Sequence, residues 1–541
     1  MLLRALLLSL GALAASAGLP WPQPASFALG GATLALDSRF FSFAASGPGA
    51  SSAVLQDALA RYAALLFVRA APTAGANASI PTVGNVTSLA VAVGSGDETL
   101  GLATSEAYSL SVASSGAAAL TADTVYGALR GLETFSQLVD FVGSSSGSAF
   151  SFAVPTVAIT DAPRFAHRGA LVDTARHFVP VPTLLAFLDA MSYTKLNVFH
   201  WHIVDDQAFP YESVAFPGLS AMGSWNAPDA SHVYSPRDVR NVVAYARARG
   251  IRTVVELDTP GHSQSWGLSQ PGLLTQCYTN ASGTPVPIAG EFGPIDPTNP
   301  STWTFLSQLF TEVAGVFPDA YIHIGGDEVS YECWESNPQV VAWMAANNVA
   351  SFEALESYYV QRVITLVDSL GKSVVGWQEI FDNNLTLPPA TVVTAWKGGA
   401  AAGPEEMAKI TTGGFRALLS AGWYENYIAY GAQWPAYYVL DPANFTHFKG
   451  NASLVMGGEL ACWGEFVDAT NLISRVWPYG AAIAERLWSA ASVNSVDVAA
   501  PRLHAHRCRM LSRGLPAEPA NGPSFCPQEW VETYTPPWAG A

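Results

Sequence analysis

Apolar residues in the first 160 positions recur at two periods. Alternation in Ser88-Leu89-Ala90-Val91-Ala92-Val93 and in Tyr108-Ser109-Leu110-Ser111-Val112 predicts strands with one buried face. Residues 53–69 and 124–139 carry helical spacing instead, the second stretch opening on Asp123 or Thr124 as N-cap. Together they predict an α+β domain over residues 18–160. The Gly-Ser run at 143–148 reads as a loop tip, and the character of the sequence changes after Pro163.

Beyond that point, short apolar runs alternate with helical stretches. The runs lie at 169–173, 195–204, 252–257, 321–325, 373–377, 391–396, 416–422 and 454–460. The helix at 235–249 is typical of the intervening segments, with Ser235 as N-cap, Pro236 in the first turn and Gly250 as the stop. Eight strand–helix repeats predict a (β/α)8 TIM barrel over residues 161–500, in the α/β class. Residues 501–541 show little periodicity and read as a disulfide-tied extension.

The length, 541 residues, suits a barrel plus one smaller domain, and a chain that is half hydrophobic with 13% charged residues suits a compact body. The net charge of -17 repels polyanions, which excludes nucleic acid as a partner and leaves neutral ligands unpenalised. At the start, Arg4 precedes an apolar run through Ala14 and then Ala15-Ser16-Ala17, the pattern of a signal peptide cut after residue 17. The run is shorter than the ~20 residues of a membrane span, so no membrane span is expected.

A secretory route agrees with the other features. Asn77, Asn85, Asn280, Asn384, Asn444 and Asn451 head N-x-S/T glycosylation acceptors in stretches that read as loop. Five cysteines suggest two disulfides, with Cys277 to Cys333 and Cys508 to Cys526 the expected pairs and Cys462 left free and buried. Lysosome, vacuole and extracellular space all fit.

Candidate chemistry gathers just after the strands, where barrels of this kind build their sites: Arg176, Asp205, His262, Trp377, Trp396, Tyr424 and Glu465 all fall there. The densest motif is His323-Ile324-Gly325-Gly326-Asp327-Glu328. Side by side and half buried, two carboxyls repel, which favours protonation of one and yields a general acid; Glu328 is the expected one.

That motif, together with His167-Arg168-Gly169-Ala170-Leu171-Val172-Asp173-Thr174-Ala175-Arg176-His177, Lys195-Leu196-Asn197-Val198-Phe199-His200-Trp201-His202, Asp258-Thr259-Pro260-Gly261-His262, Gly376-Trp377-Gln378-Glu379 and Trp463-Gly464-Glu465, resembles the β-N-acetylhexosaminidases of glycoside hydrolase family 20. The resemblance implies a retaining exo-glycosidase acting on a carbohydrate with a terminal N-acetylhexosamine, and a mechanism that needs no cofactor. The substrate's own acetamide attacks the anomeric carbon to form an oxazolinium, one of the exceptions to the two-carboxylate scheme. In that scheme Glu328 is the acid and base, Asp327 accepts the acetamide N–H, and Tyr424 donates to the acetamide oxygen. His262 links Asp205 to Glu328. Trp377, Trp396 and Trp463 box the acetamide methyl and the apolar sugar face, and Arg176, Asp205, Glu465 and Asn426 bind hydroxyls.

One departure concerns specificity: after Glu425 and Asn426 stands Tyr427, where members accepting anionic sugars carry arginine, so anionic substrates are not expected. Family members often pair through the barrel, which implies a homodimer. Two other readings remain open on the residues alone. His200 and His202, followed by Asp205 and Asp206, have spacing suited to a metal-dependent hydrolase, and a non-catalytic sugar-binding barrel would need the same aromatic residues.

Overall fold

The computed structural model describes residues 20–68, 82–144, 150–229, 231–279 and 284–526. The leader, Asn77 and Asn280 lie outside these residues. The N-terminal region is a seven-stranded sheet of β1 (Ser26–Asp37), β2 (Ser42–Ser46), β3 (Ser88–Val93), β4 (Tyr108–Val112), β5 (Ala118–Ala122), β6 (Asp140–Ser144) and β7 (Phe150–Asp161). Its order is β1-β7-β4-β5-β3-β2, with β6 also on β7. Alternate residues of β3 and β4 are buried, as the period of two requires. They share one apolar cluster with the helices Ala53–Leu65 and Val125–Leu138, joining Leu55, Tyr62, Leu89, Leu110 and Phe135. Thr124 caps the second helix by accepting from the Gly127 N–H.

A closed barrel follows, built from β8 (His167–Asp173), β9 (Val198–Val204), β10 (Arg252–Leu257), β13 (Tyr321–His323), β14 (Ser373–Trp377), β15 (Val392–Ala395), β16 (Arg416–Leu419) and β17 (Val455–Cys462). Each predicted run supplies one strand, and every strand pairing around the ring is parallel. Four strands, β9, β13, β15 and β16, are shorter than their apolar runs, and in two of them the backbone shows why. β9 starts at Val198 because Lys195 turns through positive φ, and its ammonium is buried against Asp161 at 2.9 Å. The fourth barrel strand ends at His323 because Gly325 and Gly326 adopt positive φ.

The sequence pattern did not anticipate the antiparallel hairpin of β11 (Leu274–Thr279) and β12 (Val286–Ile295), inserted after β10. Cys277 on β11 is bonded to Cys333 on the short helix Glu332–Ser336, and Cys508 is bonded to Cys526. Cys462 is a free, buried thiol. Little periodicity was expected after residue 500, but Val496–Ser512 is one helix burying Arg502, His506 and Met510. The buried Arg502 and His506 interrupt its apolar stripe. Asn85, Asn384, Asn444 and Asn451 are all exposed.

The two regions meet through buried charge. Glu106 lies between Arg130 and Arg168, each at 2.7 Å, and Arg130 also donates to the carbonyls of Arg249 and Gly250 on the barrel side. Burial alone would raise the Glu106 carboxyl, but the two guanidinium groups outweigh it and hold it below its ordinary value. Removing the central anion would leave two buried cations facing each other. Glu106→Gln should therefore lower unfolding free energy by about 3–5 kcal/mol in chemical denaturation near neutral pH. Because the folded carboxyl is depressed, its contribution is complete above the unfolded carboxylate pKa and is lost as pH falls. The difference between wild type and variant should shrink in acid; an equal difference at every pH would contradict this.

Candidate active site

The mouth of the barrel holds a cleft of about 570 Å³ lined by Arg176, His262, Asp327, Glu328, the three tryptophans 377, 396 and 463, Tyr424, Asn426, Tyr427 and Glu465. Its shape starts with two glycines. A Cβ on Gly325 would meet Asp258 Oδ1 at 1.7 Å, and one on Gly326 would meet Ile380 at 2.7 Å. Only glycine lets the chain leave the strand here with Asp258 pressed against its backbone, where the Gly326 N–H donates to Asp258 Oδ1 at 3.2 Å. Asp327 is thereby set inward and Glu328 outward. Glu328 and His262 both hold positive φ without being glycine, a local strain of the kind that concentrates at functional sites.

The layer beneath is ionic. Glu256 is hydrogen-bonded to His202 Nδ1 at 2.6 Å and lies 2.9 Å from His200 Nε2 and 3.0 Å from His323 Nδ1, and the Trp377 indole donates to it at 2.8 Å. His200 also meets Glu459 at 3.0 Å. Burial would lower His200, but Glu459 and Glu256 outweigh it and push it up to about 9. The histidines that suggested metal ligation are thus engaged by carboxylates, with both nitrogens of His202 taken by Glu256 and Asp205. Their anion, Glu256, fixes the floor of the aromatic box.

Trp377 lies 5.8 Å from Trp463 and 6.4 Å from Trp396, ring centre to ring centre. Trp396 stacks toward Tyr424, which in turn stacks on Tyr427 at 5.7 Å. Glu379 holds the Trp396 indole at 2.9 Å. The result is a pocket with apolar walls and charged rims, suited to one sugar ring with an apolar substituent.

Asp205 requires a correction. It is fully buried and absent from the cleft wall, where the sequence reading placed it among the hydroxyl-binding groups. Its carboxylate is occupied by Arg176 at 2.8 Å, His202 at 2.8 Å and His262 at 3.2 Å. Arg176, anchored also by Asp173 at 3.0 Å, crosses the Trp463 ring at 5.1 Å. Asp205 therefore orients cationic side chains that do reach the cleft.

The two acids of the pair are shifted in opposite directions. Adjacent in sequence, Asp327 and Glu328 face different surroundings. Glu328 is 60% exposed and 3.5 Å from His262 Nε2, and that hydrogen bond, outweighing partial burial, holds it below the ordinary carboxylate value in the open site. Burial would lower His262, but Asp258 and Asp205 among others hold it well above its ordinary value. Asp327 carries the raised carboxyl, pushed to about 7 by burial. Buried Asp258 is raised too, by burial and then by Asp327. One Asp327 oxygen, Oδ1, is buried without a hydrogen-bond partner among the described residues.

The model of the glycosyl hydrolase family 20 catalytic domain matches residues 165–491, and that of a beta-acetyl hexosaminidase like domain matches residues 20–138. The chain belongs to glycosyl hydrolase family 20. It is 45% identical over 516 residues to the beta-hexosaminidase subunit beta of Felis catus, covering 94% of this chain and 93% of that one. Against the subunit beta of Homo sapiens it is 48% identical over 419 residues, 77% of this chain and 72% of that one. Among solved structures, the Flavobacterium johnsoniae chitobiase superposes with a TM-score of 0.78 at 30% identity, covering 92% of this chain and 73% of that one.

Sequence reasoning about this family 20 hydrolase missed Asp258 and Glu256 as members of the site. Asp258 stands four residues before His262 in the same motif, and its end-of-strand position was the signal available. The Asp258–Asp327 pair titrates as a unit. As pH rises through about 7 the pair loses a proton from Asp327, and a negative charge builds beneath the cleft. Because the ionised carboxylate is the better acceptor for a ligand N–H, kcat/KM should rise on the acid side of its pH profile through that value. Glu379→Gln removes one of the carboxylates that raise Asp327 and should move that limb to lower pH; an unmoved limb would mean that Asp327 does not set it.

Proposed function

We propose that this family 20 glycoside hydrolase removes terminal non-reducing β-linked N-acetylhexosamine, GlcNAc or GalNAc, from oligosaccharides or glycoconjugates, with retention through an oxazolinium intermediate. The observation that carries this reading is the unpartnered Oδ1 of Asp327, a buried acceptor at the wall of a cleft otherwise lined by indoles. A buried acceptor without a donor is costly, and an acetamide N–H brought in by the substrate supplies one.

With that N–H held by Asp327 and the acetamide oxygen held by the Tyr424 hydroxyl, the carbonyl oxygen lies beneath the anomeric carbon and the attack becomes intramolecular. Trp377, Trp396 and Trp463 close around the methyl and exclude water. Arg176, Asn426 and Glu465 are left to hold ring hydroxyls. Asn426 Oδ1, also buried and without a hydrogen-bond partner among the described residues, has the same need for a donor.

Glu328 delivers the leaving-group proton. In the open cleft it is an anion beside cationic His262, so it takes up a proton from solvent as the sugar covers it: loss of solvent raises a carboxyl, while His262, held well above its ordinary value, stays charged 3.5 Å away. After departure of the leaving group, the carboxylate draws a proton from the water that opens the oxazolinium. Asp205 and Arg176 keep His262 in line for both steps.

The setting we propose is the secretory pathway, ending in a lysosome, vacuole or the extracellular space; the leader motif and the two disulfides support it. No helix among the described residues is long and apolar enough to cross a membrane. A homodimer fits the exposure of Tyr427, Ile428 and Tyr430 on the loop beside the cleft. Glu328→Gln should cost roughly 10² to 10⁴-fold in kcat on a β-N-acetylglucosaminide with a poor leaving group. The loss should be smaller for an activated aryl leaving group, which needs less proton assistance. Wild-type rates in the variant on both substrates would refute the assignment.

A further inference from the structure

A second and larger cleft, of about 1140 Å³, opens on the other side of Glu328 and shares Glu328 and His262 with the first. Its floor is the segment Gly261–Gln264, with the Cys277–Cys333 disulfide among its lining residues. Asp206, Glu291, Phe292 and Glu332 also line it. The hairpin is held in place locally: Gln264 Nε2 donates to the Phe292 carbonyl at 2.9 Å, and Gly293 passes so close to Cys333 that a Cβ there would lie 2.5 Å from the cysteine's Cβ. Phe292 is left 44% exposed, an apolar platform in a polar groove.

Proton transfer fixes what this cleft can hold. The group leaving the anomeric carbon must lie within hydrogen-bond reach of the proton donor, so once a sugar fills the indole-lined pocket its leaving group emerges past Glu328 into the second cleft. Charge then sorts the leaving groups. Besides Glu328 and the cationic His262 paired with it, the lining carries the carboxylates of Asp206, Glu291 and Glu332, and among the described residues no lysine or arginine. Asp206 is partly engaged, accepting from the Gln264 N–H at 2.9 Å, whereas Glu291 and Glu332 are exposed.

We propose that this cleft is the leaving-group subsite, that Phe292 carries the apolar face of the leaving sugar, and that Glu291, Glu332 and Asp206 make it select cationic over anionic leaving groups. Its preferred substrates are N-acetylhexosaminides of amino sugars with a free ammonium group, such as units of a partly deacetylated N-acetylglucosamine polymer. The inference rests on the glycosidase reading and adds a specificity to it.

The test is kcat/KM of the whole enzyme at about pH 6, where a glucosamine amine is protonated and ordinary carboxylates are ionised. Three disaccharides are compared, with N-acetylglucosamine β-linked to glucosamine, to N-acetylglucosamine and to glucuronic acid, beside a p-nitrophenyl N-acetylglucosaminide. In low salt the glucosamine disaccharide should exceed the neutral one by about fivefold, and the glucuronide should fall below it by a similar factor, as expected for two or three solvent-screened pairs. High salt should bring the three together, which requires no variant. In Glu291→Gln/Glu332→Gln the ratio of cationic to neutral substrate should fall toward one. Equal rates on all three, or a cationic preference that survives both high salt and the double variant, would overturn the proposal while leaving the glycosidase reading intact. Failure to cleave any of the four would overturn both.

Discussion

Two carboxyl side chains, Asp258 and Asp327, are buried against each other beneath the barrel mouth, and the arrangement of the site follows from that contact. Neither can be fully ionised cheaply in that position, and Asp327 is pushed to about 7. The cost is tolerated because the positive φ of Gly325 and Gly326 admits no alternative packing, and because cationic His262 faces Asp327 at 3.6 Å. One Asp327 oxygen is left facing inward for a ligand donor, while the next residue turns out to Glu328. Two acids adjacent in sequence thus acquire opposite shifts.

Charge placed deeper in the barrel supports this division. Glu256 collects three histidines and an indole, and so ties the position of Trp377 to the ionic layer. Asp205 collects Arg176, His202 and His262. Side chains that never meet the ligand therefore set the orientation of those that do, and a change at Glu256 or Asp205 would be felt as misplacement of a wall or of His262. Around them the aromatic box keeps water away from any intermediate formed inside.

Much of this was legible in the sequence, for reasons that differ by residue. All eight barrel strands showed as short apolar runs because each is buried on both faces. The positions of Arg176, His262, Asp327, Trp377 and Trp463 could be read because each follows such a run or belongs to a motif shared with family 20. The end of the fourth barrel strand at His323 was not readable from hydrophobicity, since glycine φ, not apolarity, terminates it. The 274–295 hairpin was missed because β12 is largely exposed and carries little alternation. Asp205 was misplaced because a carboxylate after a strand looks the same whether it touches ligand or orients an arginine. Opposite shifts at 327 and 328 depend on which way each side chain turns, which no adjacency in the sequence reveals.

The central claim is that the substrate's acetamide, held by Asp327, is the attacking group. A series of aryl glycosides with N-acetyl, N-fluoroacetyl, N-difluoroacetyl and N-trifluoroacetyl groups tests it directly, because fluorine withdraws electrons from the carbonyl oxygen with little change in shape. The account expects kcat to fall steeply and monotonically along the series. Rates that stay level would mean that a group of the protein, and not the amide, attacks the anomeric carbon.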